Sequence, residues 1–307
     1  MSISFEEGEE LLFSNGDLFS KSEIQIIFPK QEKLNSITNL VPGVYLINEE
    51  IPLIIRSSEP KEVMVVYPYV NNIFYSKDEK GSLLINEIDQ TYTLDRPSEF
   101  NEMDQNMISL LYGISDKVGV VSDFDLNEKS NWYHSSTLLI YGKAKFYSQD
   151  IIDNLWSYYE DGGNIIFITS DLARYNFDFN RSSGKFSKSS LDGTEWQHAV
   201  RRFPFTPESG GVPLSAKLKL NDEKELLVIS DVWMGFNNDS NYSYRSIGSI
   251  EVEAKSSSNI VDIGYVFKDS TTGRIYNLGT EAWLYKNNFS RTENKSYLEK
   301  LILDLIQ

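Results

Sequence analysis

Cysteine is absent from this chain of 307 residues, and histidine occurs only twice. Without cysteine the chain has no disulfides, no thiolate metal site and no cysteine nucleophile. Two histidines alone do not supply a zinc site of the usual histidine and cysteine type. His134 and His198 lie in polar, loop-like stretches, which are typical of exposed or locally bonded histidines.

Several sequence motifs for catalysis, phosphate binding and membrane insertion are also missing. No G-x-S-x-G turn occurs, which argues against a serine hydrolase triad, and no P-loop is present. No apolar run approaches the roughly 18 residues of a membrane helix. The first residues show neither a basic n-region nor an apolar h-region. We therefore expect a soluble, cytoplasmic protein that has no membrane partner.

The charge of the chain is predominantly acidic. Asp and Glu number 45 against 29 Lys and Arg, so the net charge is −16 and the pI is about 4.6. Phosphate-backbone binding needs clustered Lys and Arg, so we expect no nucleic-acid partner. The acidic residues are dispersed, which is typical of a solvated surface.

The hydrophobic pattern divides the chain into four segments. Residues 1–60 contain short β-branched runs and predict an N-terminal β-rich segment, with a small antiparallel sheet. Residues 61–180 alternate buried strands with helices and predict an α/β core with a doubly wound, mostly parallel sheet. Residues 181–270, rich in Gly, Ser, Asn and Asp, predict a β-rich insertion. Residues 271–307 predict a last core strand and a C-terminal helix.

The stretch LLIYGKAKFYSQDIIDNLWSYYEDGGNIIF, residues 138–167, shows the α/β pattern most clearly. It predicts a buried strand, a turn, a helix and a second buried strand. Ser148 is the expected helix start, and the pair Gly162–Gly163 is the expected stop. The turn carries Lys143 and Lys145 beyond a strand end, where an open α/β sheet binds its ligands.

Tyrosines and carboxylates also follow the predicted strands. Tyr67, Tyr69 and Tyr75 lie at or just beyond the end of the first core strand. A phenol oxygen can ligate ferric iron or stabilise an oxyanion, although packing with a polar end is the commoner role of such tyrosines. Carboxylates at strand ends are candidate ligand groups, although aspartate is also a common turn residue. They are Asp123, Asp125 and Asp171.

Five stretches, spread over residues from about 43 to 307, carry a family resemblance. They are GVYLINEEIPLIIRSSEPKEVMVVYP, YTLDRPSEF, VVSDFDL, LLIYGKAKFYSQDIIDNLWSYYEDGGNIIFITSDLARY and GRIYNLGTEAWLYKN. In this order they resemble the C-terminal domain of the N,N-dimethylformamidase large (beta) subunit. The resemblance implies a class I glutamine amidotransferase-like, flavodoxin-like fold. It also implies an amidohydrolase whose mononuclear iron is held by one glutamate and two tyrosines.

The chain departs from the family pattern at the site residues. The family stretch G-H-D-E-Y-W-S corresponds to residues 142–148, so Lys143 stands at the active-site histidine and Lys145 at the ligand glutamate. The family stretch D-R-P-Y corresponds to residues 95–98, so Ser98 replaces a tyrosine. The resemblance implies that Tyr75 matches the other ligand tyrosine and that Glu281 matches an acid near the site.

These replacements remove the ligands that iron needs. Ferric iron is a hard cation that prefers anionic oxygen ligands, and two ammonium groups would repel it. We therefore expect no metal and no cofactor, and a divergent relative that has lost the iron site. The resemblance is also compatible with a homo-oligomer or with a companion subunit that completes the site.

Three functions stay open at this point. The first is a metal-free, C–N hydrolase-like enzyme that acts on a small polar or anionic substrate by hydrolysis or group transfer. In it a neutral Lys143 or Lys145 acts as a base or forms a Schiff base, oriented by Tyr75, Asp95 and Glu281. The second is a non-catalytic pseudoenzyme that binds an anionic small molecule or a glycan. The third is a structural or partner-binding protein in which the lysines are merely solvated. The expected ligand-binding residues are Tyr67, Arg96, Ser98, Tyr147 and Asp171.

Overall fold

A computed structural model describes much of the chain. The described residues are 4–6, 24–30, 32–34, 40–49, 51–75, 92–93, 100–170, 172–180, 185–188, 205–220, 225–236, 242–254 and 257–306. The architecture is mixed α/β, which confirms the fold class expected from the sequence at this level.

The strands and helices follow one another in this order along the described residues. The strands are β1 Ser4–Glu6, β2 Ile24–Phe28, β3 Glu32–Leu34, β4 Gly43–Ile47, β5 Ile51–Arg56, β6 Val63–Tyr67, β7 Tyr92–Thr93, β8 Val118–Ser122, β9 Thr137–Tyr141, β10 Ala144–Tyr147, β11 Asn164–Ile168, β12 Leu172–Asn180, β13 Lys185–Lys188, β14 Phe205–Leu220, β15 Glu225–Phe236, β16 Ser243–Ala254, β17 Ser257–Phe267 and β18 Ile275–Asn277. The α-helices are α1 Tyr69–Tyr75, α2 Glu102–Leu111, α3 Gln149–Glu160, α4 Lys286–Phe289 and α5 Thr292–Ile306. Short 3-10 helices cover Tyr112–Lys117, Asp123–Asn127, Asn131–His134 and Glu281–Leu284.

A nine-stranded sheet forms the centre of the described structure. Its strand order is β15-β14-β16-β17-β18-β11-β9-β6-β8. The five strands from β18 to β8 pair in parallel, and β17, β16, β14 and β15 continue the sheet by antiparallel pairing. The strands between residues 205 and 267 therefore extend the sheet of the α/β core.

The parallel strands are continuous apolar runs. Every residue of β6, β8 and β9 is buried, as expected for strands that are covered on both faces. The N-terminal strands form a separate five-stranded sheet in the order β1-β5-β4-β2-β3. That sheet is antiparallel as predicted except at β1, which pairs in parallel with β5.

Helix α3 begins and ends where the sequence predicts. The Ser148 hydroxyl accepts a hydrogen bond from the Ile151 N–H at 3.2 Å and so caps the first turn. The helix stops at Gly162, whose φ of +95° lies in the region that favours glycine. Ile151, Ile152 and Leu155 are fully buried and fix the helix against the core.

The segment before α3 differs from the prediction. We expected one turn to carry both lysines, but Ala144–Tyr147 form strand β10, which pairs in parallel with β12. Lys145 therefore lies within a strand, and Lys143 lies in the short connection before it. The partner strand begins at Leu172, and pairing over this distance leaves no local pattern in the sequence.

The C-terminal helix packs onto the core by one face. Leu298 and Ile302 of α5 are buried, and the ring of Tyr297 stacks on Trp283 with 6.0 Å between centroids. At 15 residues, α5 is the longest helix that the structure describes. No helix in the described part of the chain has the length and apolarity needed to cross a membrane.

Candidate functional site

The carboxyl ends of the parallel strands define the candidate site. The chain runs from β6 to β8 on one side and then to β9 on the other side of β6, so the direction of strand addition reverses there. In open α/β sheets, ligands bind beyond the carboxyl ends of the strands near such a reversal. The residues that follow β6, β9, β11 and β18 are therefore the ones to consider.

An ion pair joins three of these strand ends. Lys143, after β9, places its Nζ 2.9 Å from Oε1 of Glu281, which follows β18. The other carboxylate oxygen of Glu281 accepts the backbone N–H of Ser170, after β11, at 2.7 Å. The side chain of Glu281 is 5% exposed and that of Lys143 is 32% exposed. The carboxylate is thus buried and held at both oxygens, while the lysine reaches solvent.

Local capping explains why Glu281 sits at this point. Thr280 has an extended backbone, and its hydroxyl accepts the N–H of Ala282 at 3.1 Å, which starts the 3-10 helix. The same hydroxyl lies 2.8 Å from the hydroxyl of Ser230 on β15. These contacts fix the first residue of that helix, which is Glu281, against the sheet.

The ionic state of the pair limits its chemistry. A carboxylate within hydrogen-bond distance favours the charged form of a lysine. A charged ammonium can bind an anion or polarise a carbonyl oxygen, whereas a lysine base or Schiff-base nucleophile must be neutral. The contact between Lys143 and Glu281 therefore favours binding and polarisation over amine chemistry.

A second cluster lies at the ends of β6 and β9, where the strand order reverses. Asp104 of α2 is fully buried and accepts hydrogen bonds from the hydroxyls of Tyr141 at 2.9 Å and Tyr67 at 3.3 Å. Its second oxygen also accepts the N–H of Asn101 at 2.9 Å, which completes a capping box at the start of α2. Loss of water around the carboxyl raises the pKa of Asp104 to about 7. Burial also raises the pKa of Tyr141 well above its ordinary value.

Asp123, directly after β8, forms a third buried cluster. Its carboxylate accepts the N–H groups of Val70 at 2.8 Å and Asn71 at 3.1 Å, and the side-chain amide of Asn71 at 2.9 Å. Burial raises the pKa of Asp123 to about 6. The amide of Asn71 also bonds the backbone of Phe146 on β10 in both directions. Asp123 therefore ties α1 and β10 to the end of β8, which is a structural role.

The predicted site residues fall into separate places. Lys143 and Glu281 contact each other, whereas Tyr67 belongs to the cluster around Asp104. Tyr147 is buried, and burial followed by the charge of Asp123 raises its pKa well above the ordinary value. Lys145 is half-buried on β10. The remaining predicted positions lie outside the described residues or side chains. They are the side chain of Tyr75 and the residues Asp95, Arg96, Ser98 and Asp171.

Sequence reasoning missed several residues of these clusters, among them Asp104, Tyr141 and Ser170. Nothing in the sequence singled out Asp104 from the other acidic residues of the chain. The spacing of Asn101 and Asp104 is a capping-box signal that marks the helix start, yet it does not reveal the tyrosine contacts. Tyr141 read as an apolar strand residue. Ser170 acts through its backbone N–H, which any residue type would supply.

The described side chains do not fit the iron implied by the family resemblance. Lys143, which the resemblance aligns with the active-site histidine, pairs with Glu281, and the residue that it aligns with the ligand glutamate is Lys145, which offers no anionic oxygen. Ferric iron needs anionic oxygen donors there. In the described part of the chain, no group of three or more His, Asp or Glu residues is placed to hold a metal ion.

Comparison with known proteins finds only distant likenesses to solved structures. No protein-family model matches the sequence, and no curated protein matches it. Among solved structures, the chain is similar to a catalytic mutant of a GH42 β-galactosidase from G. stearothermophilus, with 12% identity and a TM-score of 0.42 over 79% of this chain. The match spans only 30% of that enzyme's own chain. The match therefore spans about a third of the length of the glycosidases found in this comparison.

Two smaller structures are matched over nearly their whole length. A putative ThuA-like protein from Bacteroides uniformis shows 11% identity and a TM-score of 0.43, over 80% of this chain and 91% of that one. A cytoplasmic protein from Salmonella typhimurium shows 8% identity and a TM-score of 0.44, over 79% of this chain and 98% of that one. All of these TM-scores are below 0.5, so these likenesses carry no information about the function of this chain.

Proposed function

We propose that this chain binds a small anionic or carbonyl-bearing molecule on Lys143, at the carboxyl edge of its parallel strands. The observation that carries the proposal is the ion pair in which a buried Glu281 holds a partly exposed lysine. We further propose that the protein is a divergent, iron-free relative of the dimethylformamidase-type amidohydrolases. The residue stretches quoted above support that relationship.

The strand order supports a doubly wound, flavodoxin-like sheet as part of the same proposal. If the parallel strands are numbered along the chain, the order β8-β6-β9-β11-β18 is 2-1-3-4-5. This is the flavodoxin order, and its ligands bind where the strand order reverses. Lys143 follows β9, one of the two strands at that point.

The fixed orientation of the Lys143 ammonium group supports ligand binding. The backbone N–H of Ser170 and the burial of Glu281 keep the carboxylate in place, so the lysine is oriented before a ligand arrives. A preoriented cation loses little freedom on binding, and hydrogen bonds from a charged donor are the stronger kind. A carboxylate or carbonyl oxygen is the partner that such a donor fits.

Hydrolysis or group transfer without a metal is a second candidate, favoured by one observation. Glu281 lies 2.9 Å from the lysine nitrogen and could accept a proton from water near a molecule bound to Lys143. This is the function that the sequence favoured. It differs from simple binding because it requires an ionised Glu281 that a water molecule can reach.

Substitution of Lys143 tests the binding proposal. Binding of acetate, formamide and N,N-dimethylformamide would be measured by calorimetry for the wild type and for Lys143→Met. We expect saturable binding of at least one probe and a loss of tenfold or more in the variant. The matched control is Lys117→Met, because Lys117 makes an ion pair of the same 2.9 Å length with Glu62 on the exposed surface. Equal binding by wild type and Lys143→Met would overturn the proposal.

Release of amine from the amide probes separates the two candidates. Turnover by chelator-treated protein that disappears in both Lys143→Met and Glu281→Gln would favour hydrolysis. Binding without turnover would favour the non-catalytic function. Turnover that survives both substitutions would contradict a role for this ion pair in either function.

Removal of the lysine should also cost stability. Lys143→Met leaves the buried carboxylate of Glu281 without its counter-charge, and we expect a loss of about 1–3 kcal/mol in the free energy of unfolding. Lys117→Met breaks an exposed pair and should cost less than about 1 kcal/mol. The double variant Lys143→Met, Glu281→Gln should recover part of the loss in urea unfolding. No recovery would mean that the lysine acts mainly through packing.

A further inference from the structure

A cavity lies at the opposite end of the parallel strands from Lys143. Its volume is about 530 Å³, within the range of small-molecule sites. It is formed where the amino-terminal ends of β11 and β18 meet β16 and β17. Its lining residues include Asn164, Arg245, Tyr265, Phe267, Asp269 and Arg274. None of them belongs to the site at the carboxyl edge.

Strand pairing brings cations and aromatic rings onto one face. Arg245 of β16 lies directly opposite Tyr265 of β17, which in turn lies opposite Tyr276 of β18. Directly opposed residues of antiparallel strands point to the same face of a sheet. Phe267 lies two residues beyond Tyr265, so it shares that face, and its ring centroid is 6.1 Å from that of Tyr265. The result is an aromatic wall beside Arg245.

A second arginine is fixed against the same wall. The guanidinium of Arg274 lies 5.3 Å from the centroid of Tyr265, and its Nη1 lies 3.4 Å from the hydroxyl of Tyr276. Within the described residues, neither Arg274 nor Arg245 makes an ion pair. In a chain with a net charge of −16, two such neighbouring arginines are an uncommon local excess of positive charge.

The other polar groups of the cavity are arranged to suit an anion. The side-chain oxygen of Asn164 accepts the N–H of Arg274 at 3.0 Å, which fixes the amide and leaves its NH₂ group as a donor. Asp269 carries the one negative charge among the lining residues, so the lining has a net charge of +1. Its carboxylate accepts two bonds from Thr271 and one from Thr272 within its own loop.

We infer that this cavity binds a small ring-bearing anion, of the class of sugar acids and sugar phosphates. The carboxylate or phosphate would meet the guanidinium groups of Arg245 and Arg274, which form forked hydrogen bonds with such oxyanions. The ring would lie against Tyr265 and Phe267, and Asn164 would donate to a ring hydroxyl. A bare ion would leave the aromatic wall unused, because the cavity is much larger than the ion.

Four probes test this assignment by calorimetry at low salt. They are glucuronate, glucose 6-phosphate, glucose and inorganic phosphate. We expect at least one of the two anionic sugars to bind saturably, at least tenfold more tightly than glucose or phosphate, and less tightly as sodium chloride is added. The sugar that binds more tightly identifies the anionic group as carboxylate or phosphate. Absence of saturable binding, or equal binding of inorganic phosphate, would overturn the assignment.

Single substitutions locate the binding. Arg245→Gln and Arg274→Gln should each weaken binding of the anionic sugar tenfold or more, because each removes one positive charge from a lining whose net charge is +1. Arg291→Gln is the matched control, since Arg291 is exposed and does not line the cavity. Lys143→Met should leave this binding unchanged, which separates it from the site at the carboxyl edge. Binding that survives both arginine substitutions would contradict the inference.

Discussion

The Gly273→Ala variant is expected to lose about 3 kcal/mol or more of its free energy of unfolding, or to fail to fold. A Cβ atom at Gly273 would overlap the carbonyl oxygen of Gly163 and lie 2.6 Å from its carbonyl carbon. Both atoms belong to the backbone, so they cannot turn aside as a side chain would. The backbone at this crossing is held by the bond from the Gly273 N–H to the Tyr159 carbonyl at 2.9 Å. Overpacking of this kind typically costs 1–3 kcal/mol and more where the backbone cannot move.

Gly113→Ala is the matched control for this substitution. A Cβ atom at Gly113 would meet nothing within 4 Å, and the residue lies in a 3-10 helix with a negative φ. Alanine there restricts the unfolded chain without strain, so we expect stability that is unchanged or higher by up to about 1 kcal/mol. Urea unfolding of both variants makes the comparison. A Gly273→Ala protein within 1 kcal/mol of wild type would mean that Gly273 does not approach the backbone of Gly163 as closely as described.

The stability of the wild type should contain a component that falls as the pH rises, and Asp104 should be its main source. Burial raises the pKa of Asp104 from 3.8 to about 7. Between these values the folded protein binds a proton that the unfolded chain has released, so the folded state is favoured at the lower pH. At 1.36 kcal/mol per pKa unit, the contribution lost between pH 5 and pH 8 is about 2–3 kcal/mol.

Asp104→Asn removes this titration and provides the test. The difference in free energy of unfolding between wild type and variant should shift by about 2–3 kcal/mol in favour of the variant as the pH rises from 5 to 8. If the variant does not fold, Tyr141→Phe is the alternative, since the Tyr141 hydrogen bond lowers the pKa of Asp104. Its loss should raise that pKa further and extend the pH dependence above 7.

Asp269→Asn serves as the control for the pH experiment. Hydrogen bonds from Thr271 and Thr272 lower the pKa of Asp269 below 3.8, so the carboxylate is ionised in both the folded and the unfolded state from pH 5 to pH 8. The difference between wild type and this variant should therefore stay constant over the range. A constant difference for Asp104→Asn as well would contradict the assignment of the pH dependence to Asp104.

The α/β core could be predicted because each of its strands and helices has a signal within its own stretch of sequence. Val63–Tyr67 and Thr137–Tyr141 are apolar without interruption, and α3 has a serine cap and a glycine stop. Pairing between distant segments left no such signal. Strand β10 depends on Leu172–Asn180, and β1 pairs in parallel with β5, and neither partner is marked in the sequence.

The candidate site could be predicted only where a strand end and a charged residue coincide. Lys143 was identified because it follows an apolar run and lies in a stretch that resembles the family, whereas Glu281 was identified through the resemblance alone. Their contact spans 138 positions of sequence and depends on the order of strands in the sheet. The buried state of Asp104 was not predictable, because an acidic residue in the first turn of a helix normally faces water.

Strand β18 has a consequence for how the protein is made. It joins the parallel and antiparallel parts of the sheet, and its Ile275 pairs with Ile165 of β11, 110 positions earlier. During synthesis β11 therefore leaves the ribosome long before its partner exists, and one edge of the nascent core stays open. The hairpins between residues 205 and 267 can form in that interval, because their pairing is local. Completion of the sheet must wait until Ile275–Asn277 have been made, which makes its formation slow and the growing chain vulnerable to aggregation.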